Sequence, residues 1–75
     1  MITTPKDKLI LQRIGKNIRK FRKAKGWSQE VFAFECELHR TYIGGIERGE
    51  RNITVLNLIH ITNKLEVTLN DIYSH

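Results

Sequence analysis

The chain has 75 residues, of which 40% are hydrophobic, and a formal net charge of +5 at pH 7. This length supports one small domain with a modest core, and a single cysteine excludes an internal disulfide. There is no recognisable signal peptide and no apolar run long enough to cross a membrane, so a cytoplasmic protein is expected.

The positive charge is concentrated in the first third of the chain. Residues 1–28 contain nine Lys or Arg against Asp7 alone, which gives +8, whereas residues 29–75 carry −3. A basic segment of this kind favours a polyanion such as nucleic acid, or a membrane surface. The same charges could equally form an ordinary solvated helix face. In either case their field would speed encounter with DNA.

A first helix is predicted to begin at Thr4-Pro5, because Thr is a good cap and Pro fits the first helical position. It should end near Gly26. Its buried face is predicted to consist of Leu11, Ile14, Ile18 and Phe21. An amphipathic basic helix could lie on a membrane, but this apolar face is needed to cover the next segment, so no membrane contact is expected. Trp27 should close the core between the first two helices.

The next stretch predicts two short helices joined by a tight turn. Ser28 can cap the first of them, and Phe32 should face the core. Ile43 and Ile46 form the inward stripe of the second helix, and Gly49 follows at a position where helices commonly end. The outward positions of the second helix are His39, Arg40, Thr41, Tyr42, Gly44 and Gly45. This layout is typical of a helix-turn-helix whose second helix enters the DNA major groove.

The first of these two helices and its turn contain three residues that need an explanation. Cys36 is expected to be a small, partly buried residue and not a metal ligand. Glu37 stands where a left-handed residue is needed, at a cost of about 1 kcal/mol or slightly more. Either it tolerates that strain or the turn is built differently. Phe34 could be partly exposed to a partner or could fold over the first helix.

A fourth helix capped by Thr54 and a short fifth helix capped by Thr68 are predicted to complete the chain. Their core stripe is expected to contain Leu58, Ile61, Leu65 and Ile72. The remaining apolar residues are Leu56, Ile59, Val67, Leu69 and Tyr73. A surplus apolar patch usually marks a contact surface, so residues 54–74 are predicted to form a homodimer interface. The sequence thus predicts an all-α bundle of five short helices, with residues 1–75 as one domain.

Three short motifs carry a resemblance to a known family: Arg40-Thr41-Tyr42-Ile43, Ile46-Glu47-Arg48-Gly49 and Arg51-Asn52. Set in this helical pattern, they resemble the lambda-repressor/Cro type of helix-turn-helix, the XRE family, over about residues 14–73. Within it, the chain is most similar to controller proteins of bacterial restriction–modification systems. The resemblance implies a transcription regulator that acts as activator and autorepressor on a pseudo-palindromic operator.

Base reading is assigned first to Arg40, whose guanidinium can bond bidentately to guanine O6 and N7. Thr41 can hydrogen-bond a base edge or contact a thymine methyl. His39 is expected to cap the recognition helix or to lie close to DNA. Gly44 and Gly45 are expected to let the backbone approach the groove. These polar positions could alternatively form only a solvated surface.

Other roles follow from the resemblance alone. It implies DNA-backbone contacts by Gln29, Tyr42, Arg51 and Asn52. It also implies a structural ion pair between Arg22 and Glu47, joining the first helix to the third. In related activators, acidic residues of the second helix touch the polymerase sigma factor, which here points to Glu30 and Glu35, although both could simply be solubilising charges.

Alternative functions remain open at this stage. The same fold serves phage or chromosomal repressors and antitoxins, and a protein-interaction module without DNA binding is a more distant possibility. An enzyme is not expected, because the sequence shows no serine–histidine–acid pattern, phosphate loop or metal cluster. His39, His60 and His75 share no spacing that suggests cooperation. No cofactor, metal or small-molecule ligand is expected.

Overall fold

The computed structural model describes residues 4–74, which form five α-helices and no β-strand. The helices are α1 (Pro5–Ala24), α2 (Gln29–Cys36), α3 (Arg40–Glu47), α4 (Val55–Leu65) and α5 (Leu69–Tyr73). The all-α prediction is therefore confirmed. His75, the last of the three histidines, lies outside the described residues.

Each helix begins at a side chain that accepts a hydrogen bond from a backbone N–H of the first turn. These caps are Thr4, Ser28, His39, Thr54 and Thr68. Because the first N–H groups of a helix have no partner within the helix, such caps fix where it starts. All five predicted caps are confirmed.

The core takes one fully buried side chain from each helix: Ile18, Phe32, Ile43, Ile61 and Ile72. Since a short isolated helix is marginal in water, this shared core is what makes the five helices mutually dependent. Leu65 is buried as predicted, and Leu58 packs against the cluster while remaining partly exposed. Leu11 was expected on the buried face of α1 but is only partly buried and is not among the residues packed against the core cluster.

Trp27 lies over the core with its ring stacked on Phe32, at a centroid distance of 6.0 Å. Its predicted role as a lid is confirmed. Cys36 is buried at the end of α2, and burial raises the pKa of its thiol to about 11. The thiol is therefore protonated at neutral pH. No group of His, Cys, Asp and Glu within residues 4–74 is arranged to hold a metal ion.

The helix-turn-helix turn is closed by Glu37, which adopts the left-handed conformation with φ 56° and ψ 39°. The glutamate thus tolerates the strain, and the turn keeps its ordinary geometry. Glu66 does the same after α4, with φ 60°, which the sequence did not indicate.

Helices α1 and α3 touch through their backbones at Gly15. A Cβ atom on Gly15 would lie 2.1 Å from the carbonyl oxygen of Ile46 and 2.7 Å from that of Glu47. Only glycine fits there, so this contact sets the distance between α1 and the recognition helix. None of the described helices is both long and apolar enough to cross a bilayer.

Candidate nucleic-acid interface

The outward face of α3 borders an open depression of about 210 Å³ where α2 meets α3. The residues that line it are Gln29, Arg40, Thr41, Gly44 and Arg48. Arg40 and Thr41 begin α3 and are exposed. The depression therefore brings together two guanidinium groups, an amide and a hydroxyl on one side of the molecule.

The orientation of α3 is fixed by the predicted ion pair between Arg22 and Glu47, which the structure contains. Arg22 Nε lies 2.7 Å from Glu47 Oε2, and Arg22 Nη2 lies 3.0 Å from Oε1. Arg22 Nη1 also donates to the carbonyl oxygen of Trp27 at 2.8 Å. Both side chains are buried. A bidentate pair of this kind adds geometric specificity to its energy, so it locks α1 to α3.

Glu47 also reaches the second helix. Gln29 Nε2 donates to Glu47 Oε1 at 3.0 Å, so this one carboxylate joins α1, α2 and α3. The sequence assigned Gln29 to a DNA phosphate, and the structure shows that one amide hydrogen is directed inward instead. An amide carries two donor hydrogens, and the N-terminus of α2 favours an anion. A phosphate contact by Gln29 stays a prediction.

Tyr42 lies beside the loop after α3 in a specific arrangement. Its hydroxyl accepts a hydrogen bond from Asn57 Nδ2 at 3.0 Å. A tyrosine hydroxyl that accepts still has its own proton to donate, and an acceptor such as a phosphate oxygen suits it. The Arg51 guanidinium lies 5.8 Å from the Tyr42 ring centroid, within cation–π range. Arg51 and Asn52 are both exposed.

The two glycines of α3 are buried under arginine side chains, which the sequence interpretation missed. A Cβ atom on Gly45 would lie 2.7 Å from Arg51 Cγ, and one on Gly44 would lie 3.1 Å from Arg48 Nη1. Both glycines are therefore covered by side chains of this chain and do not leave a bare backbone surface. Their proximity to DNA remains untested.

Arg48 is a residue of this face to which the sequence analysis gave no role. Its side chain is 57% exposed, and its Nε lies 3.0 Å from Glu50 Oε1. The signal was present in the spacing, because residues 40, 44 and 48 follow at four-residue intervals and therefore share one side of α3.

The acidic residues of α2 differ in their surroundings. Glu30 is exposed, whereas Glu35 Oε1 lies 4.0 Å from Lys64 Nζ of α4. Phe34 between them is 80% exposed and does not fold over α1. This outcome decides between the two alternatives that the sequence left open for Phe34.

The predicted dimer surface is largely apolar and uncovered. Leu56, Ile59, Leu69 and Tyr73 are all exposed, as is Val55, which the prediction did not include. Val67 is an exception, because it is only partly exposed and packs against the core cluster. Less of Val67 is therefore exposed than of these residues, and its place in a dimer interface stays a prediction.

Residues 18–72 match the family model described as helix-turn-helix. The chain therefore belongs to the helix-turn-helix family, as the resemblance to the XRE type indicated.

Among known proteins, the chain is similar to control proteins of restriction–modification systems. It is 48% identical over 59 residues to control protein C.BamHI of Bacillus amyloliquefaciens, spanning 77% of this chain and 73% of that protein. The structure of controller protein C.AhdI from Aeromonas hydrophila superposes with a TM-score of 0.80 and 38% identity, covering 84% of this chain and 96% of that one. The C.Esp1396I controller, solved as a tetramer with its natural 35-base-pair operator, gives 0.76 and 40%, with 87% and 86% covered.

Proposed function

We propose that this chain is a sequence-specific DNA-binding transcription regulator, the controller of a restriction–modification operon. The observation that carries the proposal is the exposed Arg40 and Thr41 at the start of α3, on a helix fixed by the buried pair of Arg22 and Glu47. A recognition helix must be held at one angle for its side chains to meet base edges. The similarity to C.Esp1396I, solved on its operator, supports the same use of this face.

Base and backbone contacts have separate tasks in this proposal. Arg40 reads guanine in the major groove and Thr41 reads the neighbouring base. Gln29, Tyr42, Arg51 and Asn52 bind the phosphates that flank the site. Phosphate contacts set the register of the protein on the duplex and base contacts set the sequence preference.

Two copies are needed, because one recognition helix covers only a few base pairs. The apolar surface of α4 and α5 supplies the interface for a homodimer, so that two half-sites lie about one helical turn apart. The resemblance to controllers further implies activation when the first dimer binds and repression when a second dimer blocks polymerase. A regulator of this kind acts in the cytoplasm, on the nucleoid.

Footprinting on the DNA upstream of the chain's own gene tests the proposal. At low concentration we expect two protected half-sites about one helical turn apart, and at higher concentration a second protected site. Affinity should fall steeply with salt, because binding releases counterions. If the DNA is protected at none of the salt concentrations, DNA binding is contradicted and a protein-interaction module is favoured. Protection with repression at every concentration would favour a simple repressor.

Activation is proposed to use the acidic surface of α2, through contact with the polymerase sigma factor. Glu30 is exposed, while Glu35 lies beside Lys64 and must leave that pair to bind a partner. Replacing both by Gln should leave operator binding intact and reduce activation in a purified transcription assay. The single variant Glu30→Gln should account for most of the loss, because no cation among residues 4–74 forms an ion pair with Glu30. Unchanged activation would make these residues solubilising charges only.

A further inference from the structure

Arg48 lines the depression where α2 meets α3, together with Gln29, Arg40 and Thr41, which are proposed to contact DNA. It follows α3 as the C-terminal cap, and its side chain turns back along the helix towards Gly44 and Gln29. The depression is lined by Arg48 on one side and by Arg40 and Thr41 on the other. More than half of the Arg48 side chain is open to solvent. A cation placed there faces whatever anion approaches α3.

The end of the Arg48 side chain lies close to Gly44. A Cβ atom on Gly44 would lie 3.1 Å from Arg48 Nη1, closer than ordinary van der Waals contact. Glycine in a helix interior is less favourable than alanine by about 1 kcal/mol. Gly44 therefore weakens α3 and in return leaves space in which the guanidinium lies against the helix.

Glu50 holds the other side of the same guanidinium. The Nε–H of Arg48 donates to Glu50 Oε1 at 3.0 Å. Arginine has five N–H donors in a rigid fork, so this bond uses one and leaves the Nη groups for an external acceptor. Both side chains are exposed, so the pair orients Arg48 more than it stabilises the fold.

We propose that Arg48 is a further DNA-backbone contact, for which Gly44 and Glu50 are positioning residues. Arg48 is eight residues after Arg40, which places it about 12 Å along the α3 axis at the rise of a helix. Recognition helices direct their N-terminal residues to base edges, so a cation at the opposite end suits a phosphate of the flanking backbone. This inference rests on the proposed DNA-binding function.

Arg48→Ala tests the contact against a matched variant, Arg13→Ala. Arg13 is exposed on α1, two residues before Gly15 and so roughly on the opposite side of the helix from the contact with α3. Circular dichroism should show that both variants are folded. Arg48→Ala should weaken binding to operator and scrambled DNA alike and lower the salt slope by about one unit. Arg13→Ala should leave the slope close to that of the parent.

A double-mutant cycle with Gly44→Ala tests the positioning role. If Gly44 acts through Arg48, Gly44→Ala should weaken DNA binding several-fold in the parent and have no effect in the Arg48→Ala background. The Gly44→Ala variant should melt at a temperature equal to or above that of the parent, because alanine favours the helix. Equal losses in both backgrounds would mean that Gly44 serves close approach of the DNA itself, which would overturn its assignment.

Different results would overturn DNA binding by the protein and DNA contact by Arg48. A parent protein that binds no DNA with a salt-dependent affinity would overturn the proposed function. A parent that binds normally, with Arg48→Ala indistinguishable from Arg13→Ala, would overturn only the assignment of Arg48.

Discussion

Glu47 shows how one residue can hold a recognition helix in place. Its carboxylate accepts two hydrogen bonds from Arg22 and one from Gln29, and it is buried. The Arg48–Glu50 pair has a single hydrogen bond, from Arg48 Nε to Glu50 Oε1 at 3.0 Å, and is exposed to solvent. A buried carboxylate that loses its partner cannot be rescued by water, so the two pairs should differ sharply in their effect on stability.

Truncating the buried partner, Arg22→Ala, should lower the free energy of unfolding by about 3–5 kcal/mol, because the Glu47 carboxylate is then left uncompensated. The matched variant Glu50→Ala should cost about 1 kcal/mol or less. Urea denaturation followed by circular dichroism measures both. Equal costs for the two variants would contradict a structural role for the buried pair.

Several features of single residues could be predicted from the sequence, because they depend on local chemistry. The cap at Ser28 and the ion pair of Arg22 and Glu47 depend on residue type and a family register, both of which the sequence carries. The contact of Gly15 with α3, and the burial of Gly45 under Arg51, depend on how helices and loops meet in three dimensions. No pattern within one helix indicates such contacts.

The ends of α2 and α4 carry local backbone strain, since both helices terminate in a left-handed glutamate. Glycine adopts that conformation without a steric penalty. The two sites differ in their surroundings, because Glu66 makes an ion pair with Lys25 of the loop after α1. That hydrogen-bonded ammonium lowers the pKa of the Glu66 carboxyl.

Glu37→Gly should raise the free energy of unfolding by about 0.5–1 kcal/mol, as relief of the left-handed strain exceeds the added freedom of the unfolded chain. Glu66→Gly should gain less, because it also removes the pair with Lys25. Thermal melts at neutral pH compare the two. A loss of stability in Glu37→Gly would show that its side chain has a favourable role in the turn.

Lowering the pH should reduce the difference in the free energy of unfolding between Glu37→Gly and Glu66→Gly. A carboxyl with a lowered pKa contributes stability above its ordinary pKa, and that contribution is lost as the pH falls through the lowered value. Protonated Glu66 no longer pairs with Lys25, so at acid pH the Glu37→Gly variant loses the ion pair that the Glu66→Gly variant already lacks. A difference that stayed constant down to acid pH would argue against the pair.

The whole molecule has two distinct surfaces, a basic and polar one at α3 and an apolar one at α4 and α5. The helix pattern of the sequence identified both, but it could not tell which apolar residues the core would take. Val67, which was predicted at the dimer interface, packs partly against the core cluster, while the exposed Val55 was not included in that prediction. At the start of a helix, and in the turn that follows a helix, the regular spacing of apolar residues does not predict which way a side chain points.

Leu69→Asp should weaken the homodimer and reduce operator binding, because it places a charge in the apolar surface of α5. Phe34→Asp is a suitable control, since Phe34 is also an exposed apolar residue but lies on α2. Sedimentation should show Leu69→Asp shifting to monomer at concentrations where the parent and Phe34→Asp stay dimeric. A parent that is monomeric throughout, or a Leu69→Asp variant that stays dimeric, would place the interface elsewhere.

Base reading by Arg40 of α3 can be tested by comparing affinities on two DNA duplexes. The affinities of the parent, Arg40→Ala and Arg51→Ala are measured on operator DNA and on a scrambled duplex at fixed salt. Arg40→Ala should lose about 1–3 kcal/mol of discrimination per half-site, because a bidentate guanine contact is removed, whereas Arg51→Ala should weaken both duplexes alike. Equal loss on both duplexes for Arg40→Ala would contradict base reading by this residue.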